Sequence, residues 1–230
     1  MKQIETSSQQ TVAIFDLDST ITKKDTYIAF LLTVLKCHPY RILRCGFLPF
    51  AVFIHKTGLK DNSWLKETFL GAIAGGLTQS QLDHCTDRFL AKLHNQGIRQ
   101  KALQKIQQHR EANHQLVLAS ASFDFYVKKL GNQLGFDTII CTRSKWNEQK
   151  KLIGKIDGYN CYGHNKLKRL VELIDTSRNN IFRIGYTDHH SDQPLLEWVD
   201  KAIAVNPTKK LQQIALNKKY IIVDWGMNNA

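Results

Sequence analysis

The sequence predicts an α/β fold: an open parallel sheet interrupted by an inserted, all-helical unit. Three observations carry that expectation. Short apolar runs of strand length at 12–15, 116–119, 181–185 and 202–205 alternate with helical patterns, the arrangement that builds parallel sheets. About ninety residues separate the first two runs, far more than a compact strand-to-strand crossover needs. A length of 230 residues with 43% hydrophobic content suits one domain carrying a sizeable insertion.

The first run, Val12 to Phe15, empties into Asp16-Leu17-Asp18-Ser19-Thr20. Side chains alternate along a strand, so Asp16 and Asp18 share a side and reach the carboxyl end, where open α/β sheets keep their ligands. Two like charges held that close need a cation or a shared proton. A hard ion such as Mg²⁺ takes one or two carboxylates together with substrate phosphate oxygens, so this strand end suits a metal and a phosphoryl group.

The gap that follows carries helical patterns near 26–37, 39–57, 61–73 and 78–95, with Gly58, Gly75-Gly76 and Gly97 where helix ends would fall. A further pattern at 99–113 returns the chain to the sheet. The expected division is therefore a core of residues 1–25 and 98–230 and a helical cap of residues 26–97.

The second run, Leu116 to Ala119, ends in Ser120-Ala121-Ser122, and a helix follows with Phe123, Val127 and Leu130 on one face. Hydroxyls there can cap the helix, or hold a phosphate oxygen beside its free N–H groups. Residues 149–158 are polar around Leu152-Ile153-Gly154, a candidate hairpin or surface loop. Lys166 and Lys168 open an amphipathic helix whose apolar positions are Leu167, Leu170, Val171 and Ile174. The third run ends in a second acidic loop, Thr187-Asp188-His189-His190-Ser191-Asp192. Adjacent histidines invite zinc, but a zinc site needs about four nitrogen or sulfur ligands, and here hard carboxylates flank the pair. A short helix from Gln193, the strand 202–205 and an Asn206-Pro207 exit complete the pass.

In this order the four segments resemble the haloacid dehalogenase superfamily of phosphotransferases, in its subfamily IB, the phosphoserine-phosphatase branch. The resemblance implies a Rossmann-like core with the helical cap inserted between the first two motifs. It makes Asp16 the nucleophile and Asp18 the general acid/base, and puts the phosphate-binding hydroxyl on Ser120 with Ala121 beside the substrate. Gly-x-x-Lys spacing from Gly163 points to Lys166 as the charge-neutralising lysine, with Lys168 the alternative. Mg²⁺ is implied as cofactor, held by Asp16, Asp18 through its carbonyl, and Asp188, with Asp192 and Thr20 in support. Asp25 matches an acidic substrate-binding position.

The chain departs from the branch in two places. Its acidic loop reads Thr187-Asp188-His189 rather than Gly-Asp-Ser or Gly-Asp-Gly. The position of the cap arginine that holds a substrate carboxylate falls near Thr68, in a stretch from Glu67 to Leu77 without arginine. The long basic, apolar cap and the Gly185-Tyr186-Thr187-Asp188 loop look more like relatives that include phosphatidylglycerophosphate phosphatases. The implied substrate is thus a small phosphorylated metabolite or a lipid head group, and a phosphomutase on the same fold is an alternative.

Charge leaves other classes open. Thirty-two basic against twenty acidic residues give +12, which attracts any polyanion. A non-catalytic nucleic-acid binder could use Arg178, Arg183, Lys209, Lys210, Lys218 and Lys219, but no recognised nucleic-acid motif is present, and such a module has no use for a central acidic cluster. No nucleic-acid partner is expected. Five scattered cysteines without a Cys-x-x-Cys pair suggest reduced thiols, and the polar stretch from Met1 to Thr11 lacks a signal-peptide core, so a cytoplasmic setting is expected. From Thr26 to Lys60 there are five cations (Lys36, Arg41, Arg44, Lys56, Lys60), no acids, and two apolar blocks too short to span a bilayer. That composition suits either peripheral contact with anionic lipid at the inner membrane surface or a cap whose apolar faces pack on each other.

Overall fold

The computed structural model describes residues 9–174 and 180–226; Arg178 and the residues up to Ser8 lie outside them. Strand β1 (Gln10–Phe15) leads through an irregular turn at 17–21 into α1 (Thr26–Cys37), α2 (Leu48–Lys56), α3 (Asn62–Ile73) and α4 (Gln79–Gln96). Helix α5 (Gln100–Glu111) returns the chain to β2 (Gln115–Phe123), α6 (Asp124–Gln133) and β3 (Thr138–Thr142). A hairpin of β4 (Ser144–Trp146) and β5 (Leu152–Ile156) precedes α7 (His164–Leu173) and β6 (Ile181–Thr187). The chain closes with α8 (Gln193–Trp198), β7 (Lys201–Val205), α9 (Lys209–Lys218) and β8 (Ile221–Val223).

Six strands form one parallel sheet in the order β3-β2-β1-β6-β7-β8. Val12, Ala13, Ile14 and Phe15 are fully buried because β1 is central and both faces are covered, which is why the run shows no polar alternation. The chain winds outward from β1 through β2 to β3, then back past β1 to β6, β7 and β8. That reversal opens a crevice at the carboxyl ends of β1, β2 and β6, and the acidic loops empty into it.

The helical pattern at 39–57 is not one helix. Pro39–Cys45 forms a 3-10 turn and α2 starts only at Leu48. Inside a continuous helix the ring of Pro49 would clash with the Cys45 carbonyl, whereas in the first turn of α2 it costs no hydrogen bond. The hairpin is also wider than the 149–158 stretch, since its first strand is Ser144–Trp146. It is stitched to the cap: Gly76 N–H donates to Leu152 O (2.7 Å), Leu152 N–H to Leu77 O (2.9 Å), and Glu67 accepts from Ile156 N–H and Lys155 Nζ (both 2.9 Å).

Two of the five cations between Thr26 and Lys60 have structural duties. Arg41 is only 6% exposed, and its Nη1 donates to Ile73 O (3.0 Å) and Gly75 O (2.9 Å). Arg44 donates to Gly75 O (3.0 Å) and Gly71 O (3.1 Å). Both guanidinium groups satisfy the open carbonyls at the end of α3, where positive charge also meets the helix dipole favourably. All five cysteines are free thiols. No helix among the described residues is long and apolar enough to cross a membrane.

Candidate active site

At the end of β1 the Asp16 N–H donates to Tyr186 O of β6 (2.9 Å), which ties the first acidic loop to the strand that delivers the second. Ser19 then takes a left-handed backbone (φ 60°), uncommon without glycine, and its N–H and carbonyl are held by Thr22 Oγ1 (3.2 Å) and Arg99 Nη2 (3.3 Å). The loop is thus folded by its own hydrogen bonds into a fixed turn.

Asp16, Asp188 and Asp192 converge, all buried. Lys166 reaches them from the first turn of α7, with Nζ 2.8 Å from Asp16 Oδ1 and 2.7 Å from Asp192 Oδ2. Lys168 instead faces solvent, its ammonium over the Tyr159 ring at 5.5 Å. Thr20 Oγ1 bridges Asp16 Oδ2 and Asp188 Oδ1, 3.4 Å from each, and Thr187 Oγ1 donates to Asp192 (2.9 Å).

Burial pushes the Asp16 carboxyl well above the usual range, and Asp192, Asp188 and Asp18 add to this against Lys166. Burial and Asp192 likewise push Asp188 up to about 7. Burial alone would lower the Lys166 ammonium, but Asp16 and Asp192 outweigh it and hold it charged above its ordinary value.

Three buried carboxylates share one ammonium: Lys166 pairs with Asp16 and Asp192, and Asp188 has no ion-pair partner among the described residues, so negative charge is in excess. Asp192 Oδ1 is also buried without a partner. That excess is what a divalent cation offsets. No group of three or more carboxylate, imidazole or thiolate side chains among the described residues forms a ready cation cage. Mg²⁺ does not need one, because it keeps several waters and binds through one or two carboxylates. The residues present therefore fit the ion.

The Asp18 carboxyl is held by four hydrogen bonds. Its Oδ1 accepts from Thr26 N–H (2.7 Å) and Oγ1 (2.5 Å), and its Oδ2 from Ser122 Oγ (2.7 Å) and Ser120 Oγ (3.4 Å). With both oxygens so engaged, only its backbone carbonyl is left for a metal. The carboxyl is held by the start of α1 on one side and the end of β2 on the other. Ser120 is fully buried and also accepts from Ser122 N–H (3.0 Å), while Ala121 and Ser122 line the pocket.

The pocket encloses about 380 Å³ between the sheet ends and the cap helices. Asp25 lies at its rim, but its Oδ1 caps α1 by accepting from Tyr27 N–H (2.9 Å) and Ile28 N–H (3.2 Å), which leaves Oδ2 for a ligand. His189 lines the wall, its Nδ1 2.9 Å from Ser191 Oγ. His190 does not; it borders a separate depression beside Gln193.

One wall residue has no counterpart in the sequence reasoning. Lys66 of α3 is 9% exposed, with Nζ 2.5 Å from Ala121 O and 3.2 Å from Asn160 Oδ1, above the rings of Tyr27 and Phe123. Burial pushes its ammonium down to about 8, opposed by Asp18 and Asp25. It brings cap charge into the pocket two residues before Thr68, the position without arginine. A lysine inside a helical pattern carries no signal by itself, and only its burial reveals it.

Known proteins resemble this chain in sequence and in fold. The sequence profile of the haloacid dehalogenase-like hydrolases matches residues 13–197. Among curated relatives, a Streptomyces azureus protein named for inhibition of morphological differentiation is 27% identical over 98% of this chain and 82% of its own length. A Mycobacterium tuberculosis protein named a probable phosphatase is 26% identical over 90% of this chain and 72% of its own. The histidinol-phosphatase of Neisseria meningitidis is 22% identical over 93% and 98%. Among solved structures, a Bordetella pertussis protein of unknown function superposes with a TM-score of 0.82 at 20% identity, over 95% of this chain and all of its own. A substrate-bound phosphoserine phosphatase superposes with a TM-score of 0.61 at 14% identity, over 94% of each chain.

Proposed function

The chain belongs to the haloacid dehalogenase-like hydrolases, and from that premise we propose that it is a Mg²⁺-dependent phosphomonoester phosphatase working through an aspartyl-phosphate on Asp16. The observation that carries this reading is the buried cluster of Asp16, Asp188 and Asp192 around Lys166, with the hydrogen-bonded Asp18 carboxyl beside it. The phosphatase names of two relatives agree with it. Mg²⁺, held by Asp16, Asp188 and the Asp18 carbonyl, would polarise a phosphate oxygen.

Asp16 attacks phosphorus in line, so that an O–P bond forms on its carboxylate as the ester O–P bond breaks. Asp18 gives its proton to the leaving alkoxide. Lys166 offsets charge on the transferring group, whose loose transition state needs positioning and neutralisation more than covalent help. In the second half, Asp18 takes a proton from water as it attacks phosphorus, which regenerates Asp16 and releases phosphate. The hydrogen bonds from Thr26 and Ser122 keep the Asp18 carboxyl in place for both transfers.

The substrate reading is a small phosphorylated metabolite or lipid head group, for which a pocket of about 380 Å³ has room. An artificial aryl phosphate should be hydrolysed with Mg²⁺, lost in EDTA and recovered on adding Mg²⁺ back. Asp16→Asn should be inactive, and beryllium fluoride, which mimics an aspartyl-phosphate, should inhibit the wild type. Near-normal turnover by Asp16→Asn would end the covalent reading. A panel of esters including phosphoserine, histidinol phosphate and a lysophosphatidate then narrows the substrate.

A further inference from the structure

The most unusual surface of the molecule lies on the cap. Nine of the seventeen large apolar side chains exposed among the described residues fall between Ile28 and Leu59. Leu43 is 86% exposed, Phe50 64% and Phe53 62%. These residues are patterned. Ile28 and Leu32 stand one turn apart on α1 and lead to Lys36, while Phe47, Phe50 and Phe53 follow one another at helical spacing along the start and body of α2. The turn carrying Leu43 packs on both α1 and α3, and α2 packs on α3, so the exposed residues share one support.

With Arg41 buried, the accessible cations of the segment are Lys36, Arg44, Lys56 and Lys60, and it still contains no acid. We propose that this surface is a docking face for an anionic phospholipid bilayer, with the phenylalanines and Leu43 entering the interface and the lysines meeting head-group phosphates. A second copy of the chain is the poorer occupant: a two-fold contact through the same patch would set its cations against their own images, with no carboxylate from the segment between them. Ile28 belongs both to the exposed stripe and to the pocket lining, so the docked face borders the pocket mouth. The inference stands on this surface and not on the chemistry assigned to the pocket.

Co-sedimentation of the full chain with extruded vesicles tests it. The wild type should pellet with phosphatidylglycerol-containing vesicles at low ionic strength, return to the supernatant as salt rises, and stay largely unbound with pure phosphatidylcholine. Phe50→Ser/Phe53→Ser should lose binding, and Lys56→Ala/Lys60→Ala should weaken it by about fivefold per lysine. Both variants alter exposed side chains outside the pocket, so unchanged aryl-phosphate hydrolysis and an unchanged circular-dichroism spectrum check that they are folded. A wild type that stays in the supernatant with anionic vesicles at low salt overturns the proposal. So does light scattering that shows a dimer dissociating in Phe50→Ser/Phe53→Ser, which would assign the face to a second copy.

Discussion

Lys166→Met removes the one ammonium hydrogen-bonded to the buried carboxylates among the described residues while keeping nearly the same bulk. Asp16 loses a 2.8 Å partner and Asp192 a 2.7 Å partner, both in a site only a few per cent exposed. Removing one member of a buried ion pair typically costs about 3–5 kcal/mol, because the remaining charge is stranded without water. A lysine whose folded pKa is raised contributes stability that is fully present below its unfolded value near 10.4, so the whole penalty is measurable at neutral pH. Without the ammonium, the carboxylates bind protons more tightly folded than unfolded. The variant should therefore recover part of its loss as pH falls from about 7.5 toward 5.5, and also when Mg²⁺ is added. Urea titrations of the wild type, Lys166→Met and Lys168→Met supply the comparison. Lys168 is exposed, so its variant should stay within about 0.5 kcal/mol of wild type. If Lys166→Met unfolds at the same urea concentration as Lys168→Met at pH 7.5, the stranded-charge reasoning is wrong.

Asp18→Asn should keep the fold and the binding of a phosphate ester but lower turnover by about 10²–10⁴, since an amide can accept from Thr26 N–H yet cannot carry the proton; single-turnover kinetics separate the two effects. Arg41→Ala should destabilise the protein by about 2–3 kcal/mol by leaving the Ile73 carbonyl and part of the Gly75 pair open, and the more exposed Arg44→Ala should cost less in the same thermal melts. His109 is buried between Tyr186 Oη (2.8 Å) and His114 Nδ1 (2.7 Å), and burial pushes its pKa down to about 4. The unfolded chain then binds a proton that the folded one refuses, so stability falls as pH drops from about 6.5 to 4, by up to about 3 kcal/mol from this group. His109→Gln should flatten that limb of the stability profile, and an unchanged acid slope would remove His109 as its cause.

The parts legible in the sequence were those whose cause is local. Val12 to Phe15 had to be a covered strand because nothing in it is polar, and the helical patterns near 61–73 and 78–95 lie close to α3 and α4. Pro49 could have split the 39–57 pattern in two, since proline at that position is incompatible with a helix running through it. Other features depend on partners far along the chain. Arg41 reads as a surface cation until the end of α3 is seen beside it, 32 residues away. Thr26 belongs to a helix start by pattern, and only the fold turns it toward Asp18 and Tyr126. Lys66 enters the pocket because α3 leans over Ala121, 55 residues later, a relation no periodicity records. The carboxylates could be found because they close adjacent strands, whereas Thr26 and Lys66 come from an insertion whose docking angle is a property of packing.

The contact between α3 and the hairpin bears on how the molecule opens. A Cβ on Gly154 would fall 2.3 Å from Gly71 Cα, and Gly154 holds a φ of +82°, so two main chains meet there with no side chain to act as a spacer. Such a contact cannot slide by rotamer changes. Any rigid swing of α3 has to carry β4 and β5 along, which makes the hairpin an outrigger of the cap. The cap itself joins the core at the two-stranded crossing where Thr22 bridges Ile98 and the Lys23 N–H donates to Gly97 O (2.8 Å), and the hairpin joins it after Thr142 and after Ile156. A bulkier residue at Gly154 would push the hairpin off α3 as well as strain the turn.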